Sequence, residues 1–147
     1  MEPSDPFFPG WVIALIVGFF LIIFPAIWCF VCFLISAIGG WGRLAKRFAT
    51  EEVPKEAVTK KRISGRVGVA NYNRVLTLHF TKAGFFMEVM PLFRVGHPRL
   101  FIPWSEVSGV HSERFFGIEM EKIKIGDPTV ATLYLRKDLL GDEFKPA

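Results

Sequence analysis

The sequence predicts a single N-terminal transmembrane α-helix joined to a mainly-β domain. Three observations carry this. From Pro6 to Gly42 the chain contains no Asp, Glu, Lys, Arg or His, and Trp11 to Ile38 is built almost wholly of apolar residues. Arginine and lysine then crowd the segment that follows. From about Ile63 onward, short runs alternate apolar and polar residues with a period of two, as half-buried strands do.

The apolar run comes first. Trp11 to Ile38 exceeds the roughly 20 residues that cross a bilayer. As a straight helix it would reach about 42 Å against about 30 Å of hydrocarbon, so it must tilt, bend or run on into the headgroups. Pro25 is the natural bending point, because it removes one backbone donor. A cleaved secretory signal fits poorly: Glu2 and Asp5 precede the run where basic residues would be needed, and the run is longer than a signal core. A buried helix of a soluble core would rarely be apolar on every face for so many turns. Ala14 with Gly18, and Ser36 with Gly40, form four-residue small pairs of the kind that let helix backbones approach. Phe19, Phe20, Phe24, Phe30 and Phe33 would suit packing against a neighbouring protein or its pigment-like cofactors, and are equally ordinary lipid-facing residues.

Charge divides the rest. Residues 43–66 carry Arg43, Lys46, Arg47, Lys55, Lys60, Lys61, Arg62 and Arg66 against Glu51, Glu52 and Glu56, while residues 67–147 are nearly neutral. Cations this close to the end of a span favour the cytoplasmic side. The expected order is therefore an extracytoplasmic N-terminus (1–10), a transmembrane helix (11–38), a basic interfacial helix and linker (39–62), a β domain (63–141) and a tail (142–147). Within "GGWGRLAKRFAT", Trp41, Leu44, Ala45 and Phe48 follow helical spacing, with Arg43, Lys46 and Arg47 projecting elsewhere. Trp41, Arg43, Leu44, Lys46, Arg47 and Phe48 are thus the expected membrane-interface residues, the ring at headgroup depth and the cations toward anionic lipid. "EEVPKEAVTKK" reads as a linker.

In the β region, "VLTLHFT" alternates cleanly, with "NYN" as the turn before it and "RVGVANY" as its hairpin partner. "FFMEVM", "RLFIPW", "EVSGVHSERFF", "GIEMEKIKIG" and "TVATLYLR" follow, giving about seven strands and an antiparallel barrel or sandwich. In the sixth, Phe116, Ile118 and Met120 occupy even positions and Ile123 and Ile125 odd ones, so a bulge near Glu121 and Lys122 is expected. "KDLLGDEF" is expected to form one or two helical turns that pack Leu139, Leu140 and Phe144 on the barrel's open end.

The order of elements, with "GFFMEV" followed by "HPRLFIPWSEVSGV", resembles bacterial pleckstrin-homology-like (PH-like) domains, related in shape to GRAM domains. The likeness covers roughly Ile63 to Gly141. It implies a seven-stranded bent barrel closed by a short C-terminal helix, here in a bacterial inner (cytoplasmic) membrane protein. Relatives that bind phosphoinositides carry a basic cluster on the first two strands, where this chain offers only Arg66 and Arg74.

Chemistry-bearing motifs are sparse. Cys29 and Cys32 form a C-x-x-C spacing inside the apolar run, away from any strand-to-helix redox context. His79, His97 and His111 lack metal-ligand spacing, and no nucleophile elbow or phosphate loop is present. No enzyme, metal, cofactor, small-molecule substrate or nucleic-acid partner is expected. The expected partners are the lipid bilayer and other membrane protein subunits, making the chain an accessory or scaffold subunit of a larger membrane complex. The alternative is a membrane-anchored module sensing anionic lipid. Phe93, Arg94, Arg99, Phe115 and Phe116 are the candidate partner surface, since aromatic and arginine side chains favour interfaces.

Overall fold

The computed structural model describes residues 7–141. Two compact units divide after Val31. Helix α1, Gly10–Gly39, runs through Pro25 as one helix and is long and apolar enough to cross a membrane. In the first unit its side chains point outward unburied on every face, among them Trp11, Leu15, Phe19 and Ile22. That pattern suits a span better than the stripe of a soluble amphipathic helix. Phe20 stacks on Phe24 at 5.2 Å, and Phe24 on Trp28 at 6.4 Å, along one ridge.

The second unit contains the last two turns of α1, a short helix α2 (Trp41–Phe48) and seven strands: β1 Val58–Val67, β2 Ala70–Phe80, β3 Gly84–Val89, β4 Leu100–Pro103, β5 Val107–Phe115, β6 Ile118–Ile125 and β7 Ala131–Arg136. They form one antiparallel sheet in the order β4-β3-β2-β1-β7-β6-β5, curled into a half-barrel. The curl has local causes. Pairing of β1 with β2 shifts register between Lys60 and Ile63 and again between Ile63 and Gly65, and such irregularities sharpen twist. Arg62 and Arg74 take left-handed backbone conformations there, at φ 55° and 54°.

Alternation then fills the concave face. Leu76, Leu78 and Phe80 of β2, Phe85 and Met87 of β3, Ile123 and Ile125 of β6 and Leu133 and Leu135 of β7 are all buried. The core continues into Trp41, Leu44 and Phe48 of α2, which packs on β4 and β7. Edge strand β4 is shielded on its outer side by the bridge between Ala49 and Leu100 and by the Thr50 N–H bonded to the Arg99 carbonyl at 2.9 Å.

Four expectations need correction. The sheet is open rather than a closed barrel or a sandwich, with β4 and β5 as its two edges. The first hairpin turns at Gly68 and Val69, while Asn71–Asn73 lies inside β2, because Tyr72 is an inward, buried residue. Strand β6 keeps unbroken register with both neighbours through Glu121 and Lys122, so no bulge forms there. Phe116 sits in the β5–β6 turn and Ile118 lies exposed near the hairpin tip, leaving Glu121, Ile123 and Ile125 as the inward series. After β7, Lys137–Leu139 makes a turn rather than a helix, with Leu140 buried. Phe144 and the tail lie outside the described residues.

Candidate membrane junction and partner surface

The end of α1 is built into the β unit. Gly40, at φ 115°, adopts a backbone that favours glycine and lets α1 stop and α2 restart, the Leu44 N–H returning to the Gly40 carbonyl at 3.1 Å. The Gly39 carbonyl accepts the Val69 N–H at 3.1 Å. Approach here is so close that a β-carbon on Gly68, itself at φ 59°, would overlap the Gly39 carbonyl oxygen. One turn earlier, the Ser36 hydroxyl donates to the Gly96 carbonyl.

Around this seam lies a buried aromatic group. Trp41 donates its indole N–H to the Pro98 carbonyl at 3.0 Å and packs 5.2 Å from His97 and 5.6 Å from Tyr72. His97 Nδ1 lies 3.0 Å from the Val95 carbonyl, an acceptor only, so Nδ1 carries the proton. Nε2 is then the acceptor for the Tyr72 hydroxyl at 2.9 Å. Burial pushes the His97 pKa down, against the opposing effect of its carbonyl partners. Burial, with Cys32 as the lesser cause, pushes the Tyr72 pKa well above its ordinary value. Both groups are neutral, hydrogen-bonded to each other and enclosed, so the cluster joins β2 and the loop before β4 to α2.

This geometry corrects the expected interfacial pose of α2. The stripe of Trp41, Leu44 and Phe48 exists, but Trp41 and Leu44 are fully buried and Phe48 nearly so, against protein. The open side of the half-barrel offers the stripe a dry, close-packed partner, and an apolar face that is buried there cannot lie on lipid. Of the polar set, Arg43 and Lys46 are exposed, while Arg47 pairs with Glu106 at 2.9 Å and lies 5.3 Å over the Phe48 ring.

The candidate partner residues separate. Phe93 packs against the core and Arg94 is exposed. Arg99 bonds Glu88 at 2.6 Å and the Glu52 carbonyl at 2.9 Å, tying the segment before β1 to the sheet. Burial alone would raise the Glu88 pKa, but hydrogen bonds and charge from Arg99 and His79 outweigh it and hold the carboxyl below its ordinary range. Phe115 and Phe116 instead project at the β5–β6 turn, Phe116 being 96% exposed. They border a groove of about 490 Å³ that Arg66, Asn71, Tyr134 and Arg136 also line. The Arg66 guanidinium lies 5.9 Å over the Tyr134 ring and donates to the Gly68 carbonyl at 3.2 Å. Phe93, Arg94 and Arg99 do not line this groove.

Sequence reasoning missed a second apolar exposure, Met90, Leu92 and Val95, in the loop between β3 and β4. Its signal was present: "MPLFRVG" is rich in apolar residues for a connection between strands. No cluster of potential metal ligands occurs among the described residues. The chain matches no protein-family profile, no curated protein and no solved structure.

Proposed function

We propose that this chain is a non-catalytic single-pass membrane protein, an accessory or scaffold subunit that holds a PH-like β domain against the cytoplasmic face of the inner membrane within a larger assembly. The observation that carries this reading is the junction: the helix of spanning length ends inside the packed β unit, through Ser36–Gly96, Gly39–Val69 and Trp41–Pro98. A tether would suffice to localise an enzyme. A helix end whose last turns are packed into the sheet leaves no loose chain between the two, which is what a scaffold requires. Arg43, Lys46 and Arg47, just past the helix, support an outside N-terminus and a cytoplasmic domain. The seven-stranded curled sheet supports the PH-like assignment.

Phe115, Phe116 and the groove beside them are the surface for a protein partner, joining exposed aromatics to arginine as protein interfaces do. Headgroup sensing has less support, since Arg66 on the first strand is already engaged by Gly68 and Tyr134. Mild detergent extraction followed by size analysis tests the reading. The chain should migrate with a large complex, and Phe116→Ser should release it without lowering its own unfolding temperature. Recovery of the native chain only as a free monomer or small homo-oligomer overturns the proposal.

A further inference from the structure

The loop between β3 and β4 is exposed in an unusual way. It lies against the last turns of α1, not at a distance from them. A β-carbon on Gly96, which sits at φ 73°, would come within 3.1 Å of the Phe33 α-carbon, and the Ser36 hydroxyl donates to the Gly96 carbonyl. The loop therefore occupies the level of Phe33 to Ser36, residues that still belong to the apolar run ending at Ile38.

Its shape is fixed. The Met90 N–H bonds the Val75 carbonyl at 2.9 Å, Pro91–Phe93 makes a 3₁₀ turn closed by the Phe93 N–H to the Met90 carbonyl at 2.9 Å, and the His97 N–H returns to the Arg94 carbonyl at 2.9 Å. Phe93 is turned to the core as an anchor, which leaves Leu92 64% exposed and Met90 and Val95 each 42% exposed. Arg94 stands exposed among them.

We propose that this loop is a second membrane contact, with Leu92 and Val95 entering the boundary between headgroups and acyl chains and Arg94 meeting lipid phosphate. The inference rests on the reading that α1 crosses the bilayer. Three observations favour lipid as the occupant. The loop is level with an apolar helix segment, its exposed residues are apolar, and its one charge is a cation, the sign that complements phosphate. The apolar run Trp11 to Ile38 would reach about 42 Å as a helix against about 30 Å of hydrocarbon, and its surplus length is what assigns its last turns, with the loop packed on them, to the interfacial layer.

The experiment uses the full chain in liposomes, with Cys29→Ala and an environment-sensitive fluorophore on Leu92→Cys, Val17→Cys or Lys82→Cys. Cys32 is buried and is kept. Lys82 is exposed in the β2–β3 turn, at the opposite end of β2 from Ala70. Lipids brominated near the headgroup should quench the Leu92 label several-fold more than the Lys82 label, and lipids brominated deep in the chain should quench the Val17 label. A quenched Val17 label with Leu92 no more quenched than Lys82 overturns the loop contact while leaving the span intact. A Leu92 label shielded from aqueous iodide yet untouched by brominated lipid assigns the loop to a protein partner and likewise overturns the proposal. A Val17 label that no lipid quenches overturns the span itself, and the loop contact with it.

Discussion

His97 is held neutral inside the aromatic group by two different partners, the Val95 carbonyl at Nδ1 and the Tyr72 hydroxyl at Nε2. Protonation would make Nε2 a donor, so the Tyr72 hydroxyl would have to turn its own hydrogen away and accept instead, and it would place a charge where burial opposes it. The sign of the pH effect follows. An unfolded histidine titrates near its ordinary value of about 6.5, whereas the native pKa lies lower, so below that value the unfolded chain takes up a proton that the native chain refuses. Stability should therefore fall as the pH drops from about 7 toward 5, and His97→Gln should flatten that slope in a series of thermal unfolding curves. An unchanged slope would mean that His97 does not govern it. Glu88 acts in a separate window. Its depressed pKa contributes stability above the ordinary 4.5 that is lost as the pH falls below it, and this remains in the His97 variant. None of this was legible beforehand: "GHP" reads as a turn, and the residues that bury the ring come from α2 and β2, distant in sequence.

Among elements, α1 shows how one helix can obey two sets of packing rules. Gly18 has open space where a β-carbon would point, so Gly18→Ala should leave the unfolding temperature of the β unit unchanged. At the other end of the helix the Gly39 carbonyl meets Gly68, and Gly68→Ala must both adopt a left-handed backbone and displace that carbonyl. We expect Gly68→Ala to cost about 1 to 3 kcal/mol, read from denaturation in mild detergent. A neutral Gly68→Ala would mean that the seam is looser than described. Secondary structure was mostly readable here. The long helix follows from the length of its apolar run, and the strand count and the stripe on α2 from periodicity. What periodicity does not encode is the identity of the facing surface, and for that reason Trp41 and Leu44 could be placed on one side of a helix but not assigned to protein or lipid. The missing bulge in β6 has a similar origin. Alternation was counted through Phe116 and Ile118 as though they faced the core, when the hairpin carries them past its end.

For the molecule as a whole, the consequence is a change in where the soft connection lies. The segment after Gly39 was expected to be interfacial helix and linker as far as residue 62. Instead, residues 39–48 are packed, and β1 begins at Val58, leaving an exposed stretch around Glu51–Glu56. Lysine-directed proteolysis should cut first at Lys55, because exposed extended backbone without ladder hydrogen bonds is the preferred site of nicking. After that cut the β fragment should stay with the membrane pellet, held by the Trp41 pocket and the α2 stripe. Its release into the supernatant would show that the junction does not hold the two pieces together. Charge asymmetry made the order of compartments legible as an expectation. The loop Met90–Gly96 was not, since the depth of a loop depends on which helix turn it touches.

The pocket that receives Trp41 has a history during synthesis. Its acceptor, Pro98, lies 57 residues downstream, so the ribosome must deliver nearly the whole first half of the sheet before the indole has a home. Until then the ring's nearest refuge is the headgroup layer, where tryptophan is at ease. The nascent chain should thus pass through a lipid-facing stage for this side chain that the finished protein has left behind. A photoreactive amino acid at position 41 should crosslink to phospholipid in chains stalled before Tyr72 and to the protein's own later segments once Pro98 has emerged. Lipid adducts that persist in the completed chain would mean that the side chain never leaves the bilayer surface.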